Sequence, residues 1–197
     1  MKALTMRCAV ILLGLVVSTT ANADMPSTKR TKQQKTFAFG DIRIEQSFDS
    51  TKDPMSPDFT VQVYDKGRLL LQLNDAAFDT FHAAPNGEAF VGLSNSGWPG
   101  TAVIIFDRRG RILLLAEHRF ARFDYCMETS TFLKQWYDPE DPHVTFPPVD
   151  LSADKEPGIT IKDCRGKTID LLDTVLKATA HGDMSLRRLI NLMYGTP

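Results

Sequence analysis

Between Phe59 and His118, apolar and polar residues change places on a short beat. The stretches TVQVY, LLLQL, AFVGLS, TAVIIF and RILLLAEH are separated by Asp-Lys-Gly, Pro-Asn-Gly-Glu and Asp-Arg-Arg-Gly. Runs of Val, Ile, Leu and Phe bounded by Asp or Asn with Gly mark successive antiparallel strands, not helices. Phe59, Val61 and Val63 alternate with Thr60, Gln62 and Tyr64, the pattern of a strand with one buried face. Leu69, Leu71 and Leu73 return on one face after the reversal at Asp65-Lys66-Gly67. Phe78, Phe81 and Ala83-Ala84 make a weaker strand. The turn Pro85-Asn86-Gly87-Glu88 leads into the next, Ala89 to Leu93. Thr101 to Phe106 and Ile112 to Ala116 are apolar on both sides, so they are expected as central strands covered on each face.

The flanks are less regular. Phe37/Phe39 and Ile42/Ile44 alternate on either side of Gly40, and the two prolines of Asp49 to Pro57 make that stretch a loop. Thr129 to Tyr137 fits a helical turn or a strand, and Asp138 to Val149, with four prolines, is loop. Ile159 to Lys162 alternates toward Cys164. Leu171, Leu172, Val175 and Leu176 then share a stripe that Gly182 ends, which predicts a helix over 169–181. Leu186, Leu189, Ile190 and Met193 predict a second over 184–194. The expected fold is therefore mainly β within the α+β class. A single domain, 37–197, holds an antiparallel β meander or curved sheet over 37–125, a loop-rich segment over 126–168 and two short C-terminal helices packed on the sheet. The hairpins resemble propeller blades, but at roughly one and a half blades' worth they are too few to close a ring.

The first residues read as an export signal. Lys2 and Arg7 give a positive start, Ala9 to Val17 an apolar run, and Ala21-Asn22-Ala23 a small-x-small cleavage site after Ala23. That run is far short of the roughly 20 residues of a bilayer-spanning helix, so no integral membrane segment is expected after cleavage. The pattern suits a bacterial protein of the periplasm. Residues 24–36 are polar, lysine-bearing and aperiodic, and read as a disordered leader.

Charge and cysteine count narrow the function. The formal charge of −1 becomes about −3 once Lys2 and Arg7 are removed, which gives no electrostatic footprint for nucleic acid. Arg108, Arg109 and Arg111 bracket a turn and read as a solvated tip. Of three cysteines only Cys126 and Cys164 follow the signal, and in an oxidising compartment they are expected to form a disulfide.

The candidate chemistry is sparse. Asn95-Ser96-Gly97-Trp98-Pro99-Gly100 is a constrained loop around a tryptophan, which either plugs the sheet end or contacts a partner. Trp136 and Tyr137 would join Trp98 in an aromatic patch if their loops converge. In alternation His118, Phe120, Arg122, Asp124 and Cys126 share one side, placing Arg122 beside Asp124 and His118 toward a groove. Asp138, Glu140, Asp141 and His143 form an acidic turn without calcium-loop or zinc spacing, so no metal is expected, nor any cofactor. The candidate binding residues are thus Trp98, Asn95, Trp136, Tyr137, His118 and Arg122, with no catalytic set. This describes an exported, non-catalytic binding protein whose partner is a protein ahead of a glycan. The alternatives are an immunity-type inhibitor of a toxic enzyme, a hydrolase using His118 or the 138–143 acids, and a structural envelope component.

Overall fold

The alternating stretches fold as strands, laid down in chain order with each paired to the one before it. The computed structural model describes residues 30–121, 123–128, 133–146, 158–171 and 174. Strands β1 (Lys32–Phe39), β2 (Ile42–Asp49), β3 (Asp58–Asp65) and β4 (Arg68–Asn74) form one four-stranded sheet in the order β1-β2-β3-β4. Strands β5 (Thr80–Ala83), β6 (Ala89–Leu93), β7 (Thr101–Asp107) and β8 (Ile112–Glu117) form a second, β5-β6-β7-β8. Two ribbons follow, β9 (Met127–Glu128) with β10 (Lys134–Gln135), and β11 (Thr160–Lys162) with β12 (Thr168–Asp170). Every pairing is antiparallel.

Two parts of the expected fold are corrected. The single meander or curved sheet is two separate open sheets, and neither closes or curls into a blade ring. The chain leaves the first sheet at Asp75, whose φ of 54° turns it away after β4, and enters the second at Thr80. The helix-packed α+β class is also overturned. Among the described residues the regular structure is almost entirely strand, with one 3-10 turn at His118–Phe120. Ile169 and Asp170, assigned above to a helix, pair in β12 with Ile161 and Thr160. The stretch Thr168-Ile169-Asp170-Leu171 satisfies a period of two as well as one of 3.6, and the preceding hairpin turn decides for the strand. Leu171 and Thr174 have helical backbone; the rest of 169–181 and all of 184–194 lie outside the described residues. β1 itself starts at Lys32, inside the polar stretch that composition reads as leader, with Lys32 opposite Asp49.

The second sheet lies between two apolar layers. On one face Phe81, Phe90, Ile104 and Phe106 meet Ile42, Ile44, Val61 and Val63 of the first sheet. Phenylalanine rings link the layers: Phe39 lies 5.8 Å from Phe90, and Phe37 meets Phe81 edge-on at 5.0 Å. Gly92 is required here, because a β-carbon would stand 2.6 Å from Cε1 of Phe81 and 2.8 Å from Cγ2 of Ile104. On the other face Val91, Leu93, Val103, Ile105, Leu114 and Ala116 pack with Phe123, Trp136, Tyr137, Ile159, Ile161 and Leu171. Among the described residues, strands and loops thus cover most of this face. β7 is buried at every position, as its two apolar faces demand, but β8 is an edge strand with Ile112 and Leu115 both 42% exposed. The far face of the first sheet is polar: Gln62 donates to Gln72 at 2.9 Å, Tyr64 donates to Gln62 at 3.0 Å, and Arg43 lies over the Tyr64 ring. Cys126 and Cys164 form the expected disulfide, tying the start of β9 to the β11–β12 turn.

Candidate functional site

The loop from Asn95 to Gly100 joins β6 to β7 and is fastened at both ends. At its start the Asn95 amide donates to Oδ2 of Asp79 (2.6 Å), and the side-chain Nδ2 donates to the Tyr137 carbonyl (3.1 Å). Oδ1 of Asn95 accepts from the Trp136 amide (3.0 Å), and its carbonyl accepts from the Lys134 amide (2.8 Å). Indole Nε1 of Trp136 donates to the Ser94 carbonyl at 2.7 Å. At the other end the His118 amide donates to the Gly100 carbonyl at 2.9 Å. In between, Ser96 Oγ donates to the Trp98 carbonyl, and the Trp98–Pro99 peptide is cis.

This arrangement divides the six sequence candidates. Asn95, Trp136 and Tyr137 do come together, but in the interior: both aromatics are 0% exposed and Asn95 is 5% exposed. Trp136 lies flat against Phe123 with centroids 3.7 Å apart, and the Tyr137 hydroxyl donates to Oδ2 of Asp79 at 3.2 Å. Burial first, and then the Asp79 carboxylate, push the Tyr137 hydroxyl above its ordinary range. Asp79 is the centre that the sequence reading missed, since an aspartate between Phe78 and Thr80 carries no local signal. Trp98 is separate from this group. It is half-buried, 6.5 Å from the Phe59 ring, and Phe59 in turn is 5.2 Å from Phe48. The ring it meets is therefore Phe59 of β3, which in turn meets Phe48 of β2. The three half-buried rings form a patch where the loop meets the ends of those strands, next to the 50–57 loop that carries Met55, 62% exposed.

His118 is buried, with Nδ1 3.3 Å from the Tyr125 hydroxyl, which donates to the His118 carbonyl at 3.1 Å. Nε2 has no hydrogen-bond partner among the described residues. Burial and then the positive charge of Lys134 lower its pKa to about 4, and the carbonyls of Ser96 and Ser94 oppose this only in part. The ring is therefore neutral at pH 7. Arg122 lies outside the described residues. In the acidic turn Asp138 Oδ1 accepts from the Glu140 amide at 2.9 Å, and His143 pairs with Asp141. Among the described residues no group of three His, Cys, Asp or Glu is placed to hold a metal ion, and no helix is long and apolar enough to cross a membrane. No protein-family model, curated protein or solved structure matches this chain.

Proposed function

We propose that the chain is an exported, non-catalytic binding protein that holds a partner protein on the patch formed by Trp98, Phe59 and Phe48. The observation that carries this reading is the setting of Trp98, a half-buried indole on a loop whose first residue, Asn95, is fixed by hydrogen bonds to Asp79, Lys134, Trp136 and Tyr137. A large ring on a backbone already ordered loses little entropy when a partner covers it, so a few such rings dominate an interface. The tilts favour a protein over a glycan: Phe59 meets Trp98 at 45° and Phe48 at 64°, a faceted surface rather than a flat platform for a sugar ring. Burial lowers the pKa of His118 to about 4, which makes its imidazole a weak base and supports binding over hydrolysis. Export to the periplasm is supported by the positive-apolar-small pattern before Ala23 and by the Cys126–Cys164 disulfide, a bond that persists in oxidising compartments.

The test uses Trp98→Ala and Trp98→Phe in the exported protein. Trp98→Ala should keep its stability within ~1 kcal/mol and weaken the partner protein, captured by crosslinking in the periplasm, by ~tenfold or more. Trp98→Phe should restore most of that affinity. Trp98-dependent binding to a glycan array without a protein partner would replace the protein reading. A large fall in melting temperature for Trp98→Ala, with capture unchanged, would make Trp98 a plug and end it.

A further inference from the structure

The Cys126–Cys164 disulfide lies at the surface of the fold and not in its core: Cys126 is exposed and Cys164 is half-buried. Arg165 follows Cys164, and its guanidinium donates to the carbonyl of Tyr125, the residue before Cys126, at 3.3 Å. A positive charge therefore spans the two segments that the bridge joins. Exposed disulfides are the ones open to attack by a thiolate, and a neighbouring cation stabilises the thiolate that leaves.

What the bridge holds is the segment 134–137. The Cys126 amide donates to the Gln135 carbonyl at 2.9 Å, and the Cys164 amide donates to the Trp136 carbonyl at 3.1 Å. The remaining main-chain groups of the same segment hold the start of the Trp98 loop. The amides of Lys134 and Trp136 donate to the carbonyl and Oδ1 of Asn95 at 2.8 and 3.0 Å, and the Tyr137 carbonyl accepts from Nδ2 of Asn95 at 3.1 Å. This short segment thus stands between the disulfide and the loop. Neither cysteine lies in β1 to β8, and the apolar layer between the two large sheets contains no residue of 134–137. Opening the bridge therefore acts on the segment and its loop, with the paired sheets left in place.

We propose that the Cys126–Cys164 disulfide is a redox switch for the Trp98 patch, opened by a dithiol; this rests on the binding reading given above for that patch. One thiolate of the dithiol attacks the exposed Sγ of Cys126 and expels Sγ of Cys164 as a thiolate, which takes up a proton. The second thiol of the dithiol then displaces Cys126 from the mixed disulfide. The protein gains two electrons and two protons, and the dithiol departs as its own disulfide. Once the bridge is open, the Cys126 and Cys164 amides are no longer locked against 135–136 and the anchor on Asn95 loosens. A partner must then order the 95–100 loop as it binds, which weakens the complex.

Amide exchange of the full processed chain, read with no partner present, tests the switch separately from the binding reading. Excess dithiothreitol under native conditions should make both cysteines open to alkylation. It should also raise exchange at 95–100 and at Trp136 by ~tenfold or more while β7 stays protected. Reoxidation should restore slow exchange, and crosslinking capture of the partner protein should fall on reduction and recover with it. Cys126→Ser combined with Cys164→Ser should match the reduced chain and ignore dithiothreitol; reduction of the wild-type chain decides the matter if that variant does not fold. Three results would overturn the proposal: a bridge that yields only when the chain is unfolded, exchange at 95–100 or capture that reduction leaves unchanged, and an equal loss of protection at β7. Capture that Trp98→Ala leaves unchanged in the oxidised chain would overturn the reading of the patch instead, and the exchange result stands apart from it.

Discussion

On one face of the second sheet, Phe81, Phe90, Ile104 and Phe106 meet the aliphatic row of β2 and β3. On the other, Val91, Leu93, Val103 and Ile105 share the interior with Trp136 and Tyr137, whose amides and side chains are tied to Asp79, Ser94 and Asn95. The first face is set by period-two alternation in hairpins that follow one another along the chain. The second depends on hydrogen bonds between residues 41 to 58 positions apart. Apolar alternation specifies which side of a strand is buried, whereas a buried aromatic with a polar edge must also find a specific partner.

The largest expected effect sharpens this comparison on the apolar face. Phe90→Ala removes a fully buried ring stacked on Phe106 and should destabilise the fold by ~3–5 kcal/mol in denaturant unfolding. On the polar face Asn95→Ala removes little volume but leaves the Trp136 amide and the Tyr137 carbonyl without their partner, so ~1–3 kcal/mol is expected. Amide exchange of Trp136 should accelerate far more than that of β7. Uniform acceleration across both faces would mean that the two are one cooperative unit.

The smallest effect is a pH dependence confined to the polar face. His118 has a pKa near 4 in the fold against 6.5 for a free imidazole, so the unfolded chain takes up its proton first. Stability from this group is complete above pH 6.5 and is lost as the pH falls toward 4, on the order of 1 kcal/mol by pH 5 after allowance for solvent screening. The difference between wild type and His118→Gln in unfolding curves from pH 7 to 4 isolates it. Parallel curves would show that the ring titrates alike in both states.

How much was legible follows the same division. Val61 and Val63 are buried as their alternation demands, Asp65-Lys66-Gly67 and Asn86-Gly87 are turns, β7 is covered on both sides, and Cys126 reaches Cys164. The break between sheets was hidden because Phe78 and Phe81 look like the next strand of one meander, and nothing local marks Asp75 as a left-handed residue. The fate of Trp136 and Tyr137 was equally hidden, because their polar edges are satisfied by Asn95, Ser94 and Asp79, none of them near in sequence. Trp98 lies on the glycine- and proline-rich loop, but its ring neighbour Phe59 lies on β3, where alternation alone places it in the general core.

The sequential order of the first sheet has a consequence for biosynthesis. Strands β1 to β4 pair only with their neighbours in the chain, so a nascent polypeptide released N-terminus first completes this sheet as soon as Asn74 is free. Its polar ladder of Arg43, Gln62, Tyr64 and Gln72 then faces water at once, but Ile42, Ile44, Val61 and Val63 wait uncovered until Phe106 has been made. Over that interval, about thirty residues of emerging chain, an apolar row stays open to non-native contacts.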